Sequence, residues 1–408
     1  MLKEQKLLLN SLARGRSEKL LREERKILET GNLDWNYILR EADYHRLNPL
    51  IYYHWRKEKL ISLIPEGISA RLEKKHYAVA FSNLKLSREL ERLIAIFIKA
   101  GIEFIILKGP VLDEAIYPEK GLRPFGDLDI FIRRPDLDKM EDILLKEGYL
   151  LPAGILPKQF YRQFHFELPF VNQTKGGAYL EIHWDLLPRW RLHSPDIFEV
   201  WKRRQTFGEN KVFYSLGIED MIIYLCGHLD LHAYMNRYRY PSAKIEDYIL
   251  TPSSGNRLIW FSDILETIRF FGERIDWVKL RKRAKHWGVE TAVSVNLSIL
   301  KQLFPFEGIL ETIDFSLIPR QGRVKKTVIL LAEKNIFFSK KKRSWEKTLG
   351  FRGSLSWTDL IEYMFPGGNV LKARYRDKSG KMPLFYQITY RLKCLFEGLK
   401  GMYMAILK

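Results

Sequence analysis

The chain has 408 residues, a formal net charge of +19 and 46% hydrophobic residues. This length exceeds what one hydrophobic core usually holds, so two or three domains are expected, and the apolar content excludes global disorder. The two cysteines, Cys226 and Cys394, are too few for a disulfide framework and favour a reducing compartment. The N-terminal residues predict a charged helix and no signal core, and the most apolar stretch, 93–107, is interrupted by charges. We therefore expect a cytoplasmic protein.

The first hundred residues favour helices. Apolar residues between positions 32 and 60 predict a helix that begins after Asp34, which is well suited to be its N-cap. The same Asp-Trp pair recurs at Asp276, so we expect the same type of helix start to be used twice. Apolar spacing over 83–99 predicts an amphipathic helix that packs on a sheet.

The central part of the chain predicts a small mixed sheet with helices on one side. The expected elements, in chain order, are a strand at 103–107, a short helix at 110–116, a strand at 126–132, a helix at 135–147, and a hairpin of strands at 160–171 and 178–186. Further helices are expected at 220–234, 258–271 and 277–304, with a polar loop at 236–256, and basic helices are expected beyond 320.

The strand at 126–132 carries two aspartates, Asp127 and Asp129. Successive side chains of a strand alternate between its faces, so these two carboxylates lie on one face. Neighbouring carboxylates repel each other unless a cation lies between them, and Mg²⁺ prefers hard oxygen ligands of this kind. The pattern therefore predicts a magnesium site. Replacing either aspartate by asparagine should relieve the repulsion, so we expect no loss of thermal stability from it.

Four motifs around these aspartates occur in an informative order: Leu107-Lys108-Gly109, Tyr117-Pro118, Arg123 and Gly126-Asp127-Leu128-Asp129. At these residues the chain resembles the DNA polymerase beta superfamily of nucleotidyltransferases, and most of all its uncharacterised bacterial branch. The resemblance is strongest over 104–132. It implies an α+β fold, with a small mixed-sheet nucleotidyltransferase core flanked by largely α-helical N- and C-terminal domains.

The resemblance also implies an activity. A nucleoside monophosphate would be transferred from a nucleoside triphosphate such as ATP to an acceptor hydroxyl, with two Mg²⁺ ions as cofactors. The metal-binding and catalytic carboxylates would be Asp127, Asp129 and Glu181. Glu181 is assigned because the bacterial branch has an acidic residue two positions before His-Trp, here His183-Trp184. Many superfamily members have Asp at this position.

Lys108, Gly109 and Arg123 are the expected nucleotide-binding residues. Lys108 and Gly109 stand where the superfamily usually has Gly-Ser, and a glycine lets backbone amides approach the triphosphate. Arg123 either neutralises a phosphate or pairs with a core carboxylate. His165 and His183 are further candidates for side chains that face the site from adjacent strands.

We divide the chain into an N-terminal helical region (1–82), a nucleotidyltransferase core (83–187), a helical domain (188–319) and a basic C-terminal helical region (320–408). The last region contains 20 lysines and arginines against 6 aspartates and glutamates, which is +14 of the net +19. Such a charge favours a polyanion partner, nucleic acid or anionic lipid, although a solvated surface is the alternative. Lys340–Arg343 are candidate phosphate contacts, and the helix at 384–407 suits either core docking or a membrane surface.

Several features leave alternatives open. Tryptophans near the presumed cleft, Trp184, Trp190, Trp201 and Trp260, favour a compact pocket, and hence a small-molecule or protein acceptor without a template. The alternative function is a catalytically degenerate protein that keeps the fold to bind nucleotides or nucleic acid. His228 and His232, four residues apart, suit either a zinc pair or helix packing. No feature indicates an obligate oligomer.

Overall fold

The computed structural model of the chain describes residues 2–12, 18–30, 32–153, 158–172, 177–187, 195–207, 213–234 and 257–303. The predicted polar loop at 236–256 and the basic region at 320–408 lie outside the described residues. The same holds for Lys340–Arg343 and the helix predicted at 384–407.

The N-terminal region is helical, as predicted. Its helices are α1 (Lys3–Asn10), α2 (Glu18–Glu29), α3 (Trp35–His45), α4 (Asn48–Lys57) and α5 (Glu66–Lys99). Asp34 is the N-cap of α3, and its carboxylate accepts a hydrogen bond from the backbone N–H of Tyr37 at 2.9 Å. The helix predicted at 83–99 is the second half of α5. The domain division at residue 82 falls within this continuous helix and stays a prediction.

A four-stranded mixed sheet forms the centre of the protein. Its strands are β1 (Phe104–Ile106), β2 (Asp127–Ile132), β3 (Glu167–Asn172) and β4 (Ala178–His183), in the order β1-β2-β4-β3. Strand β2 runs parallel to β4, and the other two pairings are antiparallel. The core face of the two central strands is fully buried through Leu128, Ile130, Leu180 and Ile182. The predicted α+β class is confirmed.

Two helices border this sheet. Helix α6 (Leu137–Lys146) confirms the helix predicted at 135–147, and α7 (Lys158–Phe164) replaces the first part of a predicted strand. The prediction of a strand from residue 160 was therefore wrong, whereas the hairpin of β3 and β4 is confirmed. The helical form places Lys158 and Arg162 on one face, where both pair with Glu141 of α6, at 2.6 and 2.5 Å.

The chain then returns to helices. These are α8 (Ile197–Lys202), α9 (Ile218–Tyr234), α10 (Leu258–Phe271), α11 (Trp277–His286) and α12 (Glu290–Leu303), with a small hairpin of β5 (Gln205–Phe207) and β6 (Phe213–Ser215) before α9. The last three helices pack around α9. Asp276 caps α11 as Asp34 caps α3, so the repeated helix start is confirmed.

Among the described residues, no helix is long and apolar enough to cross a membrane.

Candidate functional site

The candidate site is a cluster of acidic and histidine side chains on one face of the sheet. The parallel pairing of β2 and β4 sets Asp129 directly beside Glu181. The antiparallel pairing of β3 and β4 sets Glu167 opposite His183. Because side chains alternate along each strand, these four side chains share a face. The structure therefore brings together two of the three predicted carboxylates, Asp129 and Glu181.

Lys108 enters this cluster from the end of β1. The backbone N–H of Leu107 donates to the carbonyl of Asp129 at 3.1 Å, which extends the β1–β2 pairing up to the lysine. The Nζ atom of Lys108 lies 2.7 Å from Asp129 and 3.6 Å from Asp127. Burial would lower the pKa of Lys108, but Asp127 and Asp129 hold it well above its usual value. The ammonium group thus stays charged and joins the two aspartates.

The chain can turn immediately after Lys108 because Gly109 follows. Its φ is +55°, in the left-handed region that side chains other than glycine rarely adopt. The carbonyl of Gly109 then accepts a hydrogen bond from the N–H of Asp113 at 3.0 Å, which starts the short helical turn predicted at 110–116. Gly109 is therefore required by the backbone in addition to any role in nucleotide binding.

The carboxylates of the cluster differ in their electrostatics. Although Asp129 is fully buried, Lys108 and His183 hold its pKa well below the usual range. Burial raises the pKa of Glu181 well above its usual value, and the nearby carboxylates Glu167 and Asp129 raise it further. Acidic groups thus outnumber the single lysine, and an additional positive charge would stabilise the ionised form of Glu181.

The donor set fits a divalent cation. Ligand atoms of Asp129, Glu181 and His183 all lie within 4.8 Å of one another. Oδ2 of Asp129 is buried and accepts no hydrogen bond of acceptable geometry, although the ammonium of Lys108 is close to it. The two carboxylates suit Mg²⁺, whereas the imidazole suits a transition metal. Asp127 lies at the rim, where 37% of its side chain is exposed.

His183 is the histidine that joins this cluster. Its Nε2 lies 3.2 Å from Asp129 and 3.9 Å from Glu181, and its Nδ1 lies 3.6 Å from Glu167. His165, the other histidine predicted to face the site, lies 4.0 Å from Glu167. Sequence reasoning missed Glu167, because a glutamate at the start of an edge strand has no distinctive spacing.

Arg123, the third predicted nucleotide-binding residue, is buried and pairs with a carboxylate outside the cluster. It donates to Asp263 of α10 through Nε at 3.1 Å and through Nη2 at 2.7 Å. Burial alone would lower the pKa of Arg123, but Asp263 more than offsets this and raises it. The hydroxyl of Tyr117 donates to the same carboxylate at 2.9 Å. The Tyr117 and Arg123 motifs thus join the sheet to α10. Of the two roles expected for Arg123, the structure shows the pairing with a core carboxylate.

The loop that carries Arg123 is fixed by Asp113. This buried carboxylate accepts hydrogen bonds from the backbone N–H groups of Gly121 and Arg123 and from the side chain of Asn83 on α5. A side chain at position 121 would need a φ of +86° and would lie 2.7 Å from Ala80. The loop therefore packs tightly on α5, and this packing sets the start of β2.

Replacing Arg123 with Met is expected to destabilise the protein by about 3–5 kcal/mol, because it leaves Asp263 charged and buried without its partner. Adding Asp263→Asn should recover part of the loss. The matched control is Arg71→Met, since Arg71 pairs with Asp43 at an exposed position and should change stability by less than about 1 kcal/mol. Chemical denaturation measures all three, and equal losses for Arg123→Met and Arg71→Met would contradict the structural role of the buried pair.

The remaining tryptophan and histidine predictions have different outcomes. Trp184 and Trp201 are almost completely buried, and Trp201 stacks on Phe131 with ring centroids 5.3 Å apart, so neither lines a cleft. Trp190 lies outside the described residues. The ring of His228 contacts Trp260 edge-on at 5.8 Å, which agrees with a packing role.

Tyr224 of α9 is a further residue that sequence analysis missed. It is almost completely buried, and burial raises its pKa well above the usual value. It also lies within electrostatic range of Lys108, Asp129 and Glu181. Helix α9 therefore passes near the carboxylate cluster.

A mixed sheet with paired acidic residues on neighbouring strands is typical of nucleotidyltransferases, and the comparison with known families agrees. A family model described as "Uncharacterised nucleotidyltransferase" matches residues 31–305, about two thirds of the chain. The chain therefore belongs to this nucleotidyltransferase family, and the predicted superfamily is confirmed. Searches of curated proteins and of solved structures return no match.

Proposed function

We propose that this protein is a metal-dependent nucleotidyltransferase that transfers a nucleoside monophosphate from a nucleoside triphosphate to an acceptor hydroxyl. The observation that carries the proposal is the pairing of β2 with β4, which sets Asp129 beside Glu181 with the ammonium of Lys108 2.7 Å away. Family membership supports the reaction class and the triphosphate substrate.

We propose that Asp127, Asp129 and Glu181 hold the divalent cations, two Mg²⁺ ions in our prediction, with His183 as an additional ligand or as the partner that orients Asp129. Bound there, Mg²⁺ would supply Lewis-acid activation of the acceptor hydroxyl and neutralise phosphate charge. Lys108 would donate to phosphate oxygens from the same edge of the sheet.

In this reaction the acceptor oxygen attacks the α-phosphorus, and a new P–O bond forms while the bond to the β-phosphate oxygen breaks. Pyrophosphate leaves with the electron pair of that bond. The proton of the acceptor hydroxyl passes to a carboxylate of the cluster, for which Glu181 is the candidate. Catalysis then depends on alignment and charge neutralisation, as in phosphoryl transfer generally.

We further propose that the acceptor is a small molecule or a protein side chain and that no template is used. Tyr224 of α9 lies within electrostatic range of the cluster, and α10 is joined to the sheet through Arg123 and Asp263. Helices packed around this part of the sheet favour a compact acceptor over a nucleic-acid duplex. A polyanion partner of the basic region 320–408, and a cytoplasmic location, also stay predictions.

One observation favours the alternative function, a nucleotide- or nucleic-acid-binding protein without catalysis. The ammonium of Lys108 contacts both Asp127 and Asp129, as a bound cation would. A lysine that kept this position permanently would compete with a metal ion.

Incubation with radiolabelled triphosphates, Mg²⁺ and a mixture of metabolites and proteins separates these possibilities. We expect Mg²⁺-dependent pyrophosphate release and a single mass increment on one acceptor. The matched control replaces Asp138, an exposed aspartate of α6, with Asn and should keep full activity. A ladder of products on an added oligonucleotide would contradict the proposed acceptor. Nucleotide binding without any pyrophosphate release would instead support the alternative.

A further inference from the structure

A contact between two helices brings together two arginines from distant parts of the sequence. The side chain of His45, the last residue of α3, accepts a hydrogen bond from the backbone N–H of Leu258, the first residue of α10, at 3.1 Å. Arg46 follows His45, and Arg257 precedes Leu258. The contact between these helices therefore brings the two arginines together.

Neither arginine has an acidic partner among the residues that the structure describes. Among the described residues, no ion pair or side-chain hydrogen bond involves Arg46 or Arg257, and Nε of Arg257 is buried without a hydrogen-bond partner. The guanidinium of Arg257 lies 5.6 Å from the ring centre of Trp260, which positions it without neutralising it. The partial burial of Arg257 without a carboxylate partner is unusual, because guanidinium groups in such places normally donate to an acceptor.

The charges around Arg46 are mostly of its own sign. Desolvation by the surrounding protein, together with the charges of Arg257 and Arg123, lowers the pKa of Arg46 to about 10, and Asp127 opposes this shift. Arg46 nevertheless keeps an exposed surface. Asp127, which is itself partly exposed, is close enough to act electrostatically on Arg46.

The backbone at Arg46 points to a role for its side chain. Arg46 ends α3 in the left-handed conformation, with φ 58° and ψ 37°, where glycine is the favoured residue. An arginine at this position is less favourable for the backbone than glycine would be. The same conformation occurs at Lys59, with φ 55°, which offers a matched comparison.

We propose that Arg46 and Arg257 form an anion-binding pair that holds the polyphosphate chain of the nucleotide as it approaches Asp127 and Lys108. The inference rests on the proposed function and extends it, because it assigns phosphate recognition to two helices outside the sheet. A polyphosphate would supply the acceptor oxygens that both guanidinium groups lack and would relieve their mutual repulsion.

The test is calorimetric titration of the full chain with ATP, inorganic tripolyphosphate and adenosine in the presence of Mg²⁺. Arg46→Gly and Arg257→Gln should each weaken the binding of ATP and tripolyphosphate by roughly 10- to 100-fold. Lys59→Gly removes a positive charge from the same backbone conformation at another helix end and should change the affinity by less than about twofold. Binding of adenosine alone should not respond to any of the three.

The variants should all fold, so a change in affinity can be attributed to binding. Arg46→Gly and Lys59→Gly both place glycine where glycine is favoured, and the side chain of Arg257 makes no capping hydrogen bond to its helix, so all three variants should melt at or near the wild-type temperature. If the wild-type chain binds ATP and the arginine variants bind it as tightly as Lys59→Gly does, the inference fails and the proposed function stands. If the wild-type chain binds neither ATP nor tripolyphosphate, the proposed substrate fails, and the inference fails with it.

Discussion

Replacing Asp129 with Asn is expected to reduce nucleotidyl transfer by roughly 1000-fold, which corresponds to about 4 kcal/mol of transition-state stabilisation. Asp129 is fully buried and contacts both Lys108 and His183, so the replacement removes a negative charge at the centre of the cluster. The measurement is the rate of pyrophosphate release at saturating triphosphate, together with Mg²⁺ affinity by calorimetry. The exposed Asp138→Asn is the control. Residual activity within tenfold of wild type would contradict a metal-binding role for Asp129.

The effect of this replacement on stability should differ from the sequence-based expectation. From the aspartate pair alone we expected repulsion, and hence no loss of stability on replacement by asparagine. In the structure Asp129 neutralises a buried lysine, so Asp129→Asn should lower the free energy of unfolding by about 1–3 kcal/mol. Asp127→Asn should cost less, because Asp127 is 3.6 Å from the lysine and partly exposed. Equal effects of the two replacements would contradict this difference.

Replacing Lys108 with Met should lower the free energy of unfolding by about 3–5 kcal/mol in the absence of divalent cations. Methionine is close to lysine in length but carries no charge. The substitution therefore leaves Asp129 and Glu181 buried without the neighbouring ammonium group. Added Mg²⁺ should restore much of this loss, since a ligand that binds only the folded state stabilises it. The rise in melting temperature between EDTA and Mg²⁺ should therefore be larger for Lys108→Met than for the wild-type chain.

The control for this experiment is Lys85→Met, which removes an exposed lysine of α5. It should melt like the wild-type chain in both EDTA and Mg²⁺. A rise in melting temperature that is the same for wild type and Lys108→Met would mean that the lysine does not compete with the metal ion. That outcome would also remove the observation that favours a binding protein without catalysis.

Much of the fold could be predicted from the sequence because it depends on local rules. Hydrophobic periodicity predicted β1, β2 and most helices, and short-range capping predicted the starts of α3 and α11 at Asp34 and Asp276. Alternation along one strand was enough to put Asp127 and Asp129 on the same face. The segment 160–164 was assigned wrongly, because its helical form is supported by Glu141, a residue of another helix.

The composition of the site depended on the tertiary structure. The contact of Lys108 with both aspartates requires the pairing of β1 with β2, and the position of Glu181 beside Asp129 requires the parallel register of β2 and β4. These pairings join residues that are distant in sequence, and strand periodicity carries no information about which strands become neighbours.

Contacts between residues that are distant in sequence also decide the roles of the arginines. The sequence left two roles open for Arg123, and only the packing of α10 against the loop after Tyr117 pairs it with Asp263. Arg46 carried no recognisable motif, since its significance comes from the contact between α3 and α10. By itself the sequence determined the family, the class of fold and the acidic strand. The tertiary structure decided which charges surround that strand, because burial and long-range contacts are set only when the helices close over the sheet.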